Sequence, residues 1–163
     1  MKTLLLSALL LCVVGFTACI KKAGVPSVDS PTASRATTPE GVVRQFVEFS
    51  AGATGETDRT KLQDLCSGEM RRAFERMSPE AFKIAYLNNT VKVKDVKIVE
   101  TKTEGDSAIV IYEVSIENAQ GTDTTNESSR RRVELTKSQG NWLVDSIRPE
   151  GSDKIAFTRG MIF

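Results

Sequence analysis

The amino-acid sequence predicts an α+β domain, with helices first and a run of antiparallel strands after them, packed on one sheet face. Three observations carry this. Apolar residues recur at helical spacing from Val42 to Tyr86; from Thr90 onward they alternate with period two; and glycine turns separate the alternating runs at hairpin spacing.

A leader precedes the domain. Lys2 supplies a positive start, and Leu4 to Val14 is an uncharged apolar run of eleven residues. At about 1.5 Å per helical residue the run spans roughly 16 Å, against a hydrocarbon core of about 30 Å. That is the length of a secretory signal rather than of a membrane span. Gly15, Thr17 and Ala18 then lead into Cys19. The stretch Val14-Gly15-Phe16-Thr17-Ala18-Cys19 resembles the lipobox of bacterial lipoproteins, with Phe16 standing where Leu is usual. The resemblance implies cleavage before Cys19, leaving residues 1–18 as signal peptide. It also implies a diacylglyceryl thioether on the Cys19 sulfur and an acyl group, such as palmitate, on its new amino group. Two or more chains hold a protein stably on a bilayer where one does not. The expected location is the bacterial cell envelope. Ile20 follows the cysteine where Asp would favour the inner membrane, so the outer membrane is favoured if the organism has one.

Residues 19–37 read as a flexible tether. Pro26 and Pro31 sit among Ser27, Ser30, Thr32, Ser34 and Thr37, with no period of 2 or 3.6. Too few large apolar groups are present to offset the entropy of ordering.

The domain is expected over residues 38–150, and 151–163 form a C-terminal tail. Thr38-Pro39-Glu40 joins a good N-cap, a proline suited to the first helical position, and an acid at the positive helix end. Val42, Val43, Phe46, Val47 and Phe49 make one stripe of the helix that follows. Asp58 is placed to cap a second helix carrying Leu62, Leu65 and Cys66. Ser67-Gly68-Glu69 punctuates before a stripe of Met70, Ala73, Phe74 and Met77. Ser78-Pro79-Glu80 repeats the start signal ahead of Phe82, Ala85 and Tyr86, up to Asn88-Asn89.

Val91 and Val93 then alternate with lysines, and Val96 and Ile98 continue one residue out of phase. A slip of one turns every later side chain to the other face, which predicts a bulge near Lys94-Asp95. Glu104-Gly105-Asp106 is a turn, and Ala108 to Ile116 is a long alternating strand. Ala119 to Asn126 reads as a polar loop and Arg130 to Lys137 as a third strand. Gln139-Gly140-Asn141 is a tight turn into a strand from Trp142 to Arg148, stopped by Pro149.

Composition excludes several chemistries. With Lys2 removed, 21 basic residues face 21 acidic ones, so no basic balance points to nucleic acid. There is no histidine, the commonest metal ligand and acid–base residue near neutral pH. Cys12 leaves with the leader and Cys19 is lipidated. Cys66 is then alone, without a disulfide or thiolate zinc site. No phosphate-cradling glycine loop and no acidic metal loop occurs, so no cofactor and no metal are implied.

The opening Thr-Pro-Glu-Gly-Val-Val-Arg-Gln-Phe at 38–46, the helices after it and the four strands together resemble the nuclear-transport-factor-2-like superfamily, also called cystatin-like. The last hairpin, leading into Asn141-Trp142-Leu143-Val144-Asp145, belongs to the same pattern. The resemblance spans roughly residues 38 to 149. It implies a strongly bent sheet of about four strands wrapped by helices into a cone, often dimeric through the outer sheet face. Enzymes of the superfamily place Asp, His or Tyr inside the cone. The corresponding candidates in this sequence are Asp145, Tyr112 and Tyr86.

Tyr112 shares a face with Val110 and Val114, so its plain reading is a core aromatic with its hydroxyl at the rim. Asp145 shares a face with Leu143 and Ile147. Inside a cone its carboxylate would be desolvated, as a general base requires. Its plain reading is a rim acid paired with Arg or Lys. Cys66 reads as a buried inert thiol. Arg130-Arg131-Arg132 reads as a solvated or edge strand, or as a contact for anionic lipid or an acidic partner, with Arg131 facing away from its neighbours. Arg71-Arg72 with Glu69 and Glu75 reads as a salt-bridged surface.

Ile109 and Ile111 face opposite to Val110 and Tyr112, and Trp142 and Val144 opposite to Leu143 and Ile147. Both sheet faces are then apolar, and either the tail from Ile155 to Phe163 or a second copy in a homodimer must cover the outer one. The expected function is a membrane-anchored binding or interaction module for a protein or an apolar ligand. The alternatives are an isomerase- or cyclase-type enzyme using Asp145 and Tyr112, and a structural envelope component.

Overall fold

The structure is a computed structural model that describes residues 35–88, 91–120 and 123–163, without the side chains of 118–120, 123–124 and 160–161. The leader, Cys19 and the tether up to residue 34 lie outside the described residues.

Helix α1 is Pro39–Gly52 and begins as its start signal predicts. Thr38 Oγ1 accepts the Gly41 N–H at 3.1 Å, with Pro39 in the first turn. Its buried face is Val42, Val43, Phe46, Val47 and Ser50. Phe49 is only partly buried, because the stripe advances by 3.6 residues and reaches Ser50 instead. Helix α2 is Thr57–Asp64 and α3 is Gly68–Arg76. Helix α4, Pro79–Phe82, is capped by Ser78 and continues as a π-helical segment over Lys83–Leu87. Phe74, Phe82 and Tyr86 form an aromatic row, the last two stacked at 4.9 Å.

The expected cap at Asp58 differs. Asp58 lies inside the first turn of α2, and its carboxylate accepts the N–H groups of Thr54 (2.9 Å) and Gly55 (3.2 Å) in the preceding loop. Lys61 donates to it at 2.7 Å. The Lys61 hydrogen bond and then the Thr54 N–H hold its pKa below the usual carboxylate range. A depressed folded-state pKa gives stability that is present above the unfolded value and lost as pH falls through the folded one. Asp58→Asn is therefore expected to lower the melting temperature at pH 7. The gap to the parent should begin to narrow near about pH 4, where the carboxylate of the unfolded chain takes up its proton, and close as pH falls through the lower folded-state value. Thermal melts of both proteins between pH 7 and pH 2.5 check this.

Four antiparallel strands follow in sequence order: β1 Val91–Glu104, β2 Ser107–Gln120, β3 Asp123–Ser138 and β4 Asn141–Pro149. The predicted slip is present, with the β1–β2 register shifting between Val93 and Asp95. A second shift lies between Ile98 and Glu100, and a third in β3–β4 at Glu134/Leu135. Each shift adds a residue on one strand and bends it, which curves the sheet around the helices. Gln139 and Gly140 both have positive φ (50° and 82°), the geometry that a two-residue hairpin turn needs.

Two strand expectations are corrected. Ala119 to Asn126 was expected as a loop, but β2 and β3 extend as a ladder to Gln120 and Asp123. Residues 125–128 are exposed, so no apolar alternation marks that extension. Arg130 to Arg132 do not lie on an edge strand, since β3 pairs with both β2 and β4. The free edge of β4 is occupied in part: Val144 exchanges hydrogen bonds with Leu65 and Ser67, and Ala156 N donates to the Ile147 carbonyl. Such cover blocks edge-to-edge pairing.

The concave face carries Val110, Tyr112, Val114, Val133 and Leu135 together with Trp142, Val144 and Ile147, all buried against the helices. Ile147 therefore shares a face with Trp142 and Val144, whereas simple alternation puts it opposite to them. The outer face holds Ile109, Ile111 and Leu143 amid a lattice of ion pairs, including Arg130–Glu113 at 3.2 Å and Arg132–Glu134 at 3.1 Å. Nor does the tail cover that outer face. It packs on the concave side, ending in helix α5 (Arg159–Ile162). In its sequence the tail is a continuation of the core.

Candidate functional site: the tail-filled concave mouth

Tyr112 sits in a cross-strand row with Arg131 and Pro149. It is fully buried, and its hydroxyl donates to the main-chain oxygen of Ile162 at 2.5 Å. Tyr86, at the end of the π-helical segment, donates to the main-chain oxygen of Phe157 at 2.9 Å. Arg131 points inward, as alternation predicts, and donates to the main-chain oxygen of Phe163. Three side chains from three elements thus converge on carbonyls of one apolar segment. Burial pushes both tyrosine hydroxyls well above their ordinary pKa, so each is a neutral donor at any physiological pH.

Arg159 bonds in the opposite direction. Its guanidinium donates to the carbonyls of Tyr86 (3.1 Å), Ala51 (2.7 Å) and Val91 (3.2 Å). Ala51 and Tyr86 lie near the C-terminal ends of α1 and the π-helical segment, where carbonyls lack helical partners and favour a cation. Arg159 also lies 5.8 Å from the centre of the Phe163 ring. Burial lowers its pKa. Sequence reasoning missed this residue. The available signal was a single charge inside the run Ile155 to Phe163, which is otherwise apolar or neutral.

Asp145 lies elsewhere. It is the extra residue of the bulge at Glu134/Leu135, between the rows of Val144 and Ser146. The bulge ends the face sharing expected with Leu143 and Ile147, so Ile147 turns inward and Asp145 leaves the concave face. Its Oδ1 accepts from Ser67 Oγ at 3.2 Å and sits against Gly68, at the start of α3. From Asp145 to the row of Tyr112 is about four residues of strand, roughly 13 Å. The two residues do not converge, and the Tyr112 hydroxyl is already committed to a carbonyl. An acid–base pair is not assembled there.

Cys66 is buried, with its thiol 3.1 Å from the Leu62 carbonyl and its pKa pushed up by burial. That makes it a poor nucleophile. Arg71 pairs with Glu75 at 3.0 Å on the surface of α3. Among the described residues no group of three or more His, Cys, Asp or Glu could hold a metal ion, and no helix is long and apolar enough to cross a membrane.

No family model and no curated protein matches the sequence. Solved structures do. A SEC-C motif containing protein from Rhodopseudomonas palustris has a TM-score of 0.52 at 15% identity, over 71% of this chain and 80% of that one. The intermembrane space region of the chloroplast protein ARC6 has a TM-score of 0.50 at 14% identity, over 73% and 94%. An NTF-2 like protein of unknown function from Shewanella oneidensis MR-1 aligns at 0.42 and 13% identity, over 68% and 97%. At such identities the likeness concerns the fold, which is α+β with a curved four-stranded antiparallel sheet.

Proposed function

We propose that this chain is a lipid-anchored protein of the bacterial cell envelope, carrying a non-enzymatic binding module of the nuclear-transport-factor-2-like kind. The observation that supports the binding role is the set of donors on the concave face. Tyr86, Tyr112 and Arg131 all point at main-chain oxygens of an apolar segment. That is the chemistry for holding a peptide. The anchor rests on Val14 to Cys19, with Ile20 favouring an outer membrane where there is one. Self-association through Ile109, Ile111 and Leu143 on the outer sheet face belongs to the same reading.

The test is expression of the full-length gene in a bacterium with metabolic palmitate labelling. The wild-type protein is expected in the membrane fraction with label, and Cys19→Ala in the soluble or unprocessed fraction without it. Unlabelled wild-type protein would sink the anchor. Sedimentation of the detergent-extracted protein reads self-association, and a monomer at micromolar concentration would remove the dimer.

A further inference from the structure

We infer that the free edge of β3, at 123–129, pairs antiparallel with the same edge of a second copy and joins the two sheets into one. The inference is independent of the outer-face contact above. β4 covers β3 only as far as the Arg131–Pro149 row, while β2 accompanies β3 on to Asp123. Glu150 N donates to the Arg130 carbonyl at 3.1 Å, and on the other side Lys137 N donates to the Asp106 carbonyl at 2.7 Å. Even-numbered residues of β3 therefore turn their main-chain groups away from β2. Those of Thr124, Asn126 and Ser128 face the open side, and no described residue bonds to them there.

The other edges are guarded. β1 carries Lys92, Lys94, Lys97 and Lys102 and two bulges, and Arg44 donates to its Val96 carbonyl at 2.6 Å. β4 is covered by Leu65, Ser67 and Ala156. The β3 edge has no lysine, proline or register shift, and 125–128 are exposed. A flat, unguarded edge is a template for another strand. Its sequence fits a second copy in one register. A twofold axis through a shared sheet keeps each face on its own side, so even positions pair with even and odd with odd. Centred on Asn126, the pairing sets Asn126 against itself, Thr125 against Glu127 and Thr124 against Ser128, with about six main-chain hydrogen bonds. One step along, Glu127 meets the same residue of the copy; one step back, Asp123 meets Glu127. Like charges directly opposite are destabilising, which selects the register centred on Asn126. The paired stretch ends where β4 of each copy takes over the edge, at Arg131–Pro149.

The experiment expresses the full-length gene in a bacterium and treats the cells with a mild thiol oxidant. In Asn126→Cys the paired Cα atoms lie about 5.5 Å apart, within the reach of a disulfide. Non-reducing electrophoresis is expected to show at least fivefold more dimer than in the parent, which controls for Cys19 and Cys66. The same excess is expected over Glu104→Cys, an exposed position at the β1–β2 turn. Adding Ser128→Pro to Asn126→Cys removes a donor on the open side and no bond to β2, and should lower the dimer at least fivefold. Adding Thr125→Glu instead sets carboxylates opposite each other in both halves of the pair and should do the same. If the proline variant does not fold, Thr125→Glu decides. Equal cross-linking at positions 126 and 104 overturns the inference, as does a cross-link at 126 that Thr125→Glu leaves unchanged. A cross-link from 126 to a different protein also overturns it, by naming another occupant. A dimer lost in Ile111→Asp and kept in Thr125→Glu belongs to the outer sheet face; it refutes the edge and leaves that contact standing.

Discussion

Gly68→Ala is expected to destabilise the domain by about 2 kcal/mol. Two costs add. Gly68 has φ of +45°, where a side chain costs roughly 1–2 kcal/mol. A Cβ there would also lie 1.8 Å from Asp145 Oδ1, so the carboxylate must swing aside and give up its hydrogen bond from Ser67, at about 0.5–1.5 kcal/mol. The two contributions separate in a double-mutant cycle. With Asp145→Ala already in place the overlap is gone, and Gly68→Ala should then cost only about 1–2 kcal/mol for its backbone. Urea titrations of the four proteins measure this. Strict additivity would mean that Asp145 does not press on Gly68, and the placement of Asp145 at the start of α3 would be wrong.

Arg159→Met is the second large effect, expected at about 3 kcal/mol, or roughly 10 °C in melting temperature for a domain of this size. Methionine fills most of the volume, so the loss reports the three hydrogen bonds of the guanidinium rather than a cavity. Part of it is offset because a buried cation is no longer desolvated. Arg159→Lys should recover little, since an ammonium cannot fork to carbonyls on α1, the π-helical segment and β1 together. Full recovery by lysine would mean that only the charge matters. An unchanged melting temperature in Arg159→Met would mean that the tail does not sit where it is described.

The helices and strands were legible wherever the signal was local. Thr38-Pro39-Glu40 and Ser78-Pro79-Glu80 cap helices because the cap, the first-turn proline and the acid act within four residues. The slip at Val93/Asp95 was readable because valines on both sides reported their phase. The bulge at Asp145 has the same signature, Trp142 and Val144 followed by Ile147. Leu143 concealed it, by offering an apolar residue in the other phase. That left a cone-interior Asp145 open beside the plain reading of a rim acid; its carboxylate is at a helix start on the β4 edge, with Ser67 as its partner rather than Arg or Lys.

The site was less legible than the fold. Tyr112, Tyr86 and Arg131 were visible as inward or candidate residues. Their common target was not, because it is main chain and therefore carries no residue type. Arg159 takes partners from positions up to 108 residues away, a distance no periodicity spans. The tail's apolar residues are one of two covers the sequence offers for the outer face, beside a second copy, and they pack on the concave one instead.

Residues 155–163 fill the concave face, with the Tyr112 hydroxyl on the Ile162 carbonyl. Nuclear Overhauser contacts between the Tyr112 ring and the Ile162 methyl groups, in isotope-labelled full-length protein, test it most directly. Strong contacts are expected, together with a slowly exchanging Tyr112 hydroxyl proton. Their absence, with random-coil shifts for Ile162 and Phe163, would contradict it.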